Sequence, residues 1–447
     1  MRVKLLPLLL CMVLAPLPGH AEDLMDAYRQ AVANDPVLAN ADATRLVIAE
    51  QVPQARSALL PQLSAGLSLN QISGGSGTST DSSGNIISAS AGGHTRDRDL
   101  NGSLTQPIID LASIANLRAA HATVDAQDET YRAALQNLYV RVAAAYFNVL
   151  QAQDQLDINK AYEDAYKQEF EQTSARFKNG LSMEADVTQA QAFYLVIKSE
   201  RISAQDALKD ANRALEQITG QPTGSLKKLR NDLPMQLPTP NDAQAWADAA
   251  EQTNPAILAA RYAVKADEHR VSAARAAHLP TLSAGMQYDK FGLWSNRVPG
   301  TAAYGPRTAT VGLTLTVPLF TGGLTQSLVR QAIHQRDADA STLESQKRQA
   351  VRDAYNYFNL VVDGVEQVQT GRDSVTAAEK SLASLKAGYE IGTQPLYYVV
   401  QAIEILAQSR FTYTQQRYQF LLNKLLLKQA AGSIDIHDLE DVNRLLQ

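Results

Sequence analysis

The chain carries one pattern twice. Leu60-Pro61-Gln62-Leu63-Ser64-Ala65-Gly66 returns as Leu279-Pro280-Thr281-Leu282-Ser283-Ala284-Gly285, and Asp35-Pro36 returns as Asn254-Pro255, both 219 residues later. Further on, Pro107 and Tyr146-Phe147-Asn148 return as Pro318 and Tyr357-Phe358-Asn359 at an offset of 211, and Phe177, Gly180 and Gly220 return as Tyr389, Gly392 and Gly432 at 212. Such self-similarity constrains the fold strongly, because an element assigned in one copy must have a counterpart in the other. The expected organisation is a first repeat over 22–220, a Pro- and Gly-rich joining segment over 221–242, and a second repeat over 243–447.

Residues 1–21 combine Arg2 and Lys4 with an apolar run from Leu5 to Leu14 and end in Gly19-His20-Ala21, the pattern of a secretory signal. Its removal would take Cys11, the single cysteine, leaving no disulfide, thiol nucleophile or cysteine metal ligand. Leu10 precedes Cys11 where a lipoprotein acceptor needs a small residue. The formal charge of −5 becomes more negative once Arg2 and Lys4 are gone, which argues against a nucleic-acid partner. Beyond the signal no run reaches the roughly 18 apolar residues of a spanning helix, so any membrane crossing must use strands.

Each copy holds two stretches of period two. In the first, Leu63, Ala65, Leu67 and Leu69 alternate with Ser64, Gly66, Ser68 and Asn70, and its partner runs over 98–107. The second copy repeats the pattern over 281–289 and 308–317, so strands are expected at 62–71, 98–107, 281–289 and 308–317, each with one oily and one hydrophilic face. The loops between paired strands, 71–97 and 290–307, are rich in small polar residues or aromatics, and Phe291, Trp294 and Tyr304 are candidates for an interfacial girdle. Strands of this length suit a tilted membrane barrel, yet four cannot close one, since the smallest such barrels use about 8. An open edge in lipid leaves backbone groups unpaired, so the barrel has to be shared between subunits. Two chains would give about 8 strands around a filled interior and three about 12, with room for a pore.

The remainder reads as helix. Leu117, Val124, Tyr131, Leu138 and Ala145 keep a seven-residue step, as do Leu135, Val142, Val149 and Leu156, which is coiled-coil patterning. A helix from Leu111 to about Phe177 would be a rod of roughly 100 Å, and its counterpart runs from Leu324 to about Ala387. Gly180 and Gly392 are expected to close these rods before a second helix returns, with Val399, Leu406, Tyr413 and Phe420 keeping the step in the last one. Shorter helices are expected over Val37 to Leu60 and Ala256 to Leu279, ending at prolines.

Pro318-Leu319-Phe320-Thr321-Gly322-Gly323 at a strand-to-helix junction, the starts Leu60-Pro61 and Leu279-Pro280, and Arg176-Phe177 before Gly180 resemble the TolC family of outer-membrane efflux proteins over residues 22 to 445. The resemblance implies a mostly α fold with β: a long coiled-coil α-helical barrel in the periplasm and a homotrimer whose four strands per chain make a 12-stranded transmembrane β-barrel in outer-membrane lipid, with 221–242 equatorial. It implies the exit duct of a tripartite efflux pump or type I secretion system, working with a periplasmic adaptor protein and an inner-membrane pump, and no cofactor. It also implies a periplasmic mouth closed by polar links at Asp186 and Tyr389, with Gln394 at a position where some members of the family carry arginine. The family's two pore aspartates fall on Tyr398 and Gln401, and Glu404, three residues on, is a further candidate for the constriction. Asn179-Gly180-Leu181 and Ile391-Gly392-Thr393 occupy the family's adaptor-contacting tips.

Other chemistry is poorly supported by the sequence. His94, His121, His269, His278, His334 and His437 lack ligand spacing, and no nucleophile elbow, phosphate loop or zinc-protease motif occurs. Asp125, Asp128 and Glu129 lie on heptad helices, where solvated faces are the default. A structural periplasmic coiled-coil adaptor would lack the amphipathic hairpins, and an envelope enzyme would need a catalytic constellation.

Overall fold

The computed structural model describes residues 21–73, 77–80, 86–89, 94–293 and 307–447. The signal segment up to residue 20 and the girdle candidates Trp294 and Tyr304 lie outside the described residues, as does the side chain of Phe291. In chain order the elements are α1 (Leu24–Asn34), α2 (Pro36–Ala49), α3 (Gln51–Ser57), β1 (Gln62–Ser73), β2 (Gly77–Thr80), β3 (Ile86–Ala89), β4 (His94–Ile109), α4 (Leu111–Lys178) and α5 (Glu184–Thr219). The second half supplies α6 (Ala243–Thr253), α7 (Pro255–Ala276), β5 (Thr281–Leu293), β6 (Arg307–Thr316), α8 (Leu324–Glu390), α9 (Leu396–Ala430) and α10 (Ile436–Asn443). Two compact units emerge, and each draws on both halves of the chain.

One unit comprises Thr44–Glu129 and Ala259–Ser345. Its four-stranded sheet has the order β1-β4-β5-β6, and β2 pairs with β3 separately. Both expected hairpins form antiparallel ladders, and β4 pairs with β5 to join them. Register aligns the two faces across all four strands. Leu63, Leu104, Met286 and Val311 form one row, while Ser64, Ser103, Gln287 and Thr310 form the next on the opposite face. Within the polar row the Ser64 and Ser103 hydroxyls hydrogen-bond at 2.7 Å. β4 runs two residues past its expected end at Pro107, and its register with β5 shifts between Pro107 and Ile109, as a residue without an N–H requires.

The expected helix over Val37 to Leu60 is broken, with α2 ending at Ala49 and α3 starting at Gln51. Pro53 cannot donate to the Ala49 carbonyl. The equivalent residue in the second copy is Ser272, and α7 runs unbroken through it. Both α2 and α7 begin at a proline, where the missing N–H costs nothing. Asp35 and Asn254 cap them by accepting from the Leu38 and Ala256 amides, each at 2.9 Å.

The other unit contains the described residues up to Ala43, Thr130–Leu258 and Gln346–Gln447. Heptad positions Leu138, Val142, Ala145, Val149 and Leu156 of α4 are buried, as are Val399, Leu406 and Phe420 of α9. Tyr146 is fully buried, and its hydroxyl donates to the Glu22 and Lys227 carbonyls at 3.0 and 3.1 Å. This ties the joining segment to α4. Arg417, also buried, donates to the Arg230 carbonyl at 2.5 Å and anchors the same segment to α9.

Candidate gate and helix tips

α4 and α8 both end in the same turn. Gly180 and Gly392 have φ of 74° and 80°, in the left-handed region that glycine enters without strain. The Leu181 amide donates to the Arg176 carbonyl and the Thr393 amide to the Gly388 carbonyl, each at 2.9 Å, the six-to-one bond of a Schellman closure. A Cβ at either glycine would meet nothing within 4 Å, so backbone conformation alone selects the residue. Asn179 supports the first turn, its side-chain amide donating to the Ala175 carbonyl at 2.9 Å. At these tips Leu181 and Ile391 are each 76 % exposed and Met183 69 %.

Above the tips, four helices share one core. Tyr162 and Tyr166 of α4, Ala190 and Ile197 of α5, Ala378 of α8, and Leu396, Val399, Val400, Ile403 and Leu406 of α9 are its buried members. Those α9 residues take up one side of the helix. On the other side Tyr397, Tyr398, Gln401, Glu404, Ile405 and Gln408 form a continuous exposed arc. Tyr398, Gln401 and Glu404 are three residues apart in turn, so they rise along this arc as one ladder.

Asp186 and Tyr389 are not joined within the chain. Asp186 sits at the third position of α5, where its Oδ2 accepts from the Ser182 hydroxyl at 2.9 Å and the Met183 amide at 3.3 Å. A carboxylate is favoured there by the unpaired amides and dipole of a helix start. Tyr389 instead stacks under the Arg176 guanidinium, 4.8 Å from ring centroid to Cζ. The Gln394 side chain lies against Gly388, and its backbone N–H donates to the Gly388 carbonyl at 3.2 Å. Hence Asp186 and Tyr389 each face a partner that sequence spacing did not suggest, while Tyr398, Gln401 and Glu404 share one surface.

Sequence reasoning also missed the polar links between helices. Arg201 of α5 pairs with Glu163 of α4 at 2.6 Å, and Arg410 of α9 with Glu379 of α8 at 2.7 Å. Glu169 of α4 is buried, and its Oε1 has no hydrogen-bond partner among the described residues. Burial pushes its carboxyl above the ordinary range, against the pull of Lys386 and Arg176. A heptad pattern treats all such residues as solvated, and only the neighbouring helix reveals otherwise.

The sequence profile of a family described as outer membrane efflux protein matches residues 27–221 and 246–433. The chain is 32% identical over 444 residues to the outer membrane protein TolC of Vibrio cholerae serotype O1, covering 98% of each chain. It is 30% identical over 465 residues to TolC of Escherichia coli K12, covering 99% of this chain and 89% of that one. In fold it resembles the CmeC outer membrane channel of Campylobacter jejuni with a TM-score of 0.77 at 18% identity, over 95% of this chain and 90% of CmeC. A profile that spans both halves, together with whole-length relatives and the sheet and helix turns described above, places this chain in the outer membrane efflux protein family.

Proposed function

We propose that three copies of this chain form a passive exit duct, gated at its periplasmic end, for an inner-membrane efflux pump or type I secretion transporter. The protein belongs to the outer membrane, with its helical part in the periplasm. The observation that carries the duct is the sheet. It has one apolar face and ends in two edges, β1 and β6. In lipid such edges must pair, and pairing β6 of one copy with β1 of the next closes the ring. Twelve strands leave a lumen, which the Ser, Thr and Gln face would line.

The mouth is assigned to the α9 ladder of Tyr398, Gln401 and Glu404, with Asp186, Tyr389 and Gln394 holding the neighbouring turns. Exposure of that ladder in the single chain supports the reading, because threefold symmetry would repeat each residue as a ring. Apolar Leu181 and Ile391, exposed beside polar Asn179 and Thr393 on the glycine turns, suit docking of an adaptor at the tips. Native mass spectrometry of the detergent-extracted protein combined with planar-bilayer conductance tests this function. A trimer that conducts is the expected result. A dominant monomer or dimer, or a trimer without conductance, overturns it.

A further inference from the structure

Strand parity sorts the charges at the end of the sheet farthest from the helices. Lys290 of β5 lies directly opposite Arg307 of β6 and, on its other side, opposite Leu100 of β4, which faces Leu67 of β1. Arg98, two residues from Leu100, belongs to the same face. That face is the apolar one, with Leu63, Leu104, Met286 and Val311 nearer the helices. Acidic residues at the same level, Asp99 and Asp289, fall on the opposite, polar face. Basic side chains are therefore aligned with the oily surface and acidic ones with the lumen.

The level of the basic row matters. From Arg307 to Thr316, β6 advances about 31 Å, which at a tilt of about 40° spans about 23 Å, close to the apolar band of about 25 Å of an outer-membrane barrel. Lys290, Arg307 and Arg98 then stand at the rim of that band, one step above Tyr288. Charge on a lipid-facing strand is heavily disfavoured at the midplane and tolerated at the interface. Like charges directly opposite each other, as Lys290 and Arg307 are, destabilise a ladder unless an anion lies between them. Among the described residues none of the three has a carboxylate partner.

We propose that Arg98, Lys290 and Arg307 form a site on the lipid-facing side of the barrel for the phosphate groups of an anionic lipid in the outer leaflet. Two guanidinium groups and one ammonium at this spacing match a phosphorylated headgroup, because arginine forks hold phosphate oxygens bidentately while lysine adds charge. The site rests on the shared-barrel reading above.

Native mass spectrometry of the trimer, titrated with diphosphorylated lipid A and separately with phosphatidylcholine, tests it. Wild type should bind the phosphorylated lipid in preference. Replacing all three (Arg98→Gln, Lys290→Gln, Arg307→Gln) should weaken binding roughly a hundredfold, from three charges near an anionic surface, while Asp99→Asn with Asp289→Asn should leave it unchanged. Should the triple variant not assemble, Arg307→Gln alone should still lose about fivefold. Equal binding by wild type and variant, equal binding of phosphatidylcholine, or displacement of the lipid by inorganic phosphate would overturn the site. In each of those cases the protein remains trimeric, whereas loss of the trimer from wild type would strike the barrel itself.

Discussion

Single residues show how the two halves diverge where charge is buried. Positions 128 and 339 are equivalent across the duplication, and both hold aspartate. Asp128 meets Arg45 of α2 at 3.8 Å. Asp339 meets Asp267 of α7, which stands where the first half has Ile48. Asp267 is 1 % exposed; its Oδ1 accepts from Arg270 at 2.5 Å, and its Oδ2 has no ordinary donor among the described residues. The hydrogen bond with Asp267, then burial, then the charge of Asp267 hold the Asp339 carboxyl above its ordinary range, against the opposing effects of Gln335 and Arg270. Two adjacent carboxyls share one proton more readily than they carry two charges. A raised folded value means that the stabilisation is complete below the unfolded value of 3.8 and is lost as pH rises through the folded one. Asp339→Asn keeps a donor toward Asp267 without the charge. Its melting temperature should therefore match wild type near about pH 4, exceed it as pH rises through the raised folded value, and keep that margin above it. A difference that stays constant from about pH 4 upward would refute the raised Asp339 carboxyl.

Among the elements, the strands give the sharpest prediction, because adjacent residues of β6 belong to opposite faces. Leu313→Arg should cost about 2–4 kcal/mol near the midplane, whereas Thr314→Arg, in the lumen, should be tolerated. Yield of folded trimer measures this; equal yields would mean that β6 does not face lipid on its Leu313 side, and a lower yield for Thr314→Arg that the facing is reversed. The alternation was legible in sequence because a half-buried strand has to alternate. Heptads such as Leu138, Ala145 and Val149 were legible for a similar reason, since their period reports which side of a helix is covered. Pairing of β4 with β5 was not, because a contact between residues as distant as Leu104 and Met286 leaves no local pattern. Nor was the extension of β4 to Ile109, which depends on a bulge that only β5 reveals. At the candidate gate, the ladder of Tyr398, Gln401 and Glu404 followed from helical spacing. The capping role of Asp186 and the stacking of Tyr389 on Arg176 arise from neighbours brought close by folding.

For the whole molecule, the duplication leaves one copy less finished than the other. Tyr146 and Phe147 are buried within the chain, but their equivalents Tyr357 and Phe358 are only half-buried. Such a surface fits a chain whose packing is completed by further copies, as in the trimeric channels of its family. Threefold assembly also determines what the mouth presents to a passing ion. Tyr398 and Gln401 would each become a neutral ring, and neutral rings do not concentrate cations, because that focusing needs net charge within the constriction. Where the Tyr398 and Gln401 rings, rather than the Glu404 ring one turn on, set the constriction, a multivalent cation added to the periplasmic side should block wild-type conductance weakly. Block should appear when Tyr398→Asp is combined with Gln401→Asp, which would place six carboxylates on adjacent turns of three helices. Glu404 is the one acidic member of the ladder, and it tests the assignment from the other direction. If wild type is already blocked strongly, Glu404→Gln must abolish that block, since the glutamate ring would then line the gate. Strong block that survives Glu404→Gln would show that the constriction lies elsewhere than on this arc of α9.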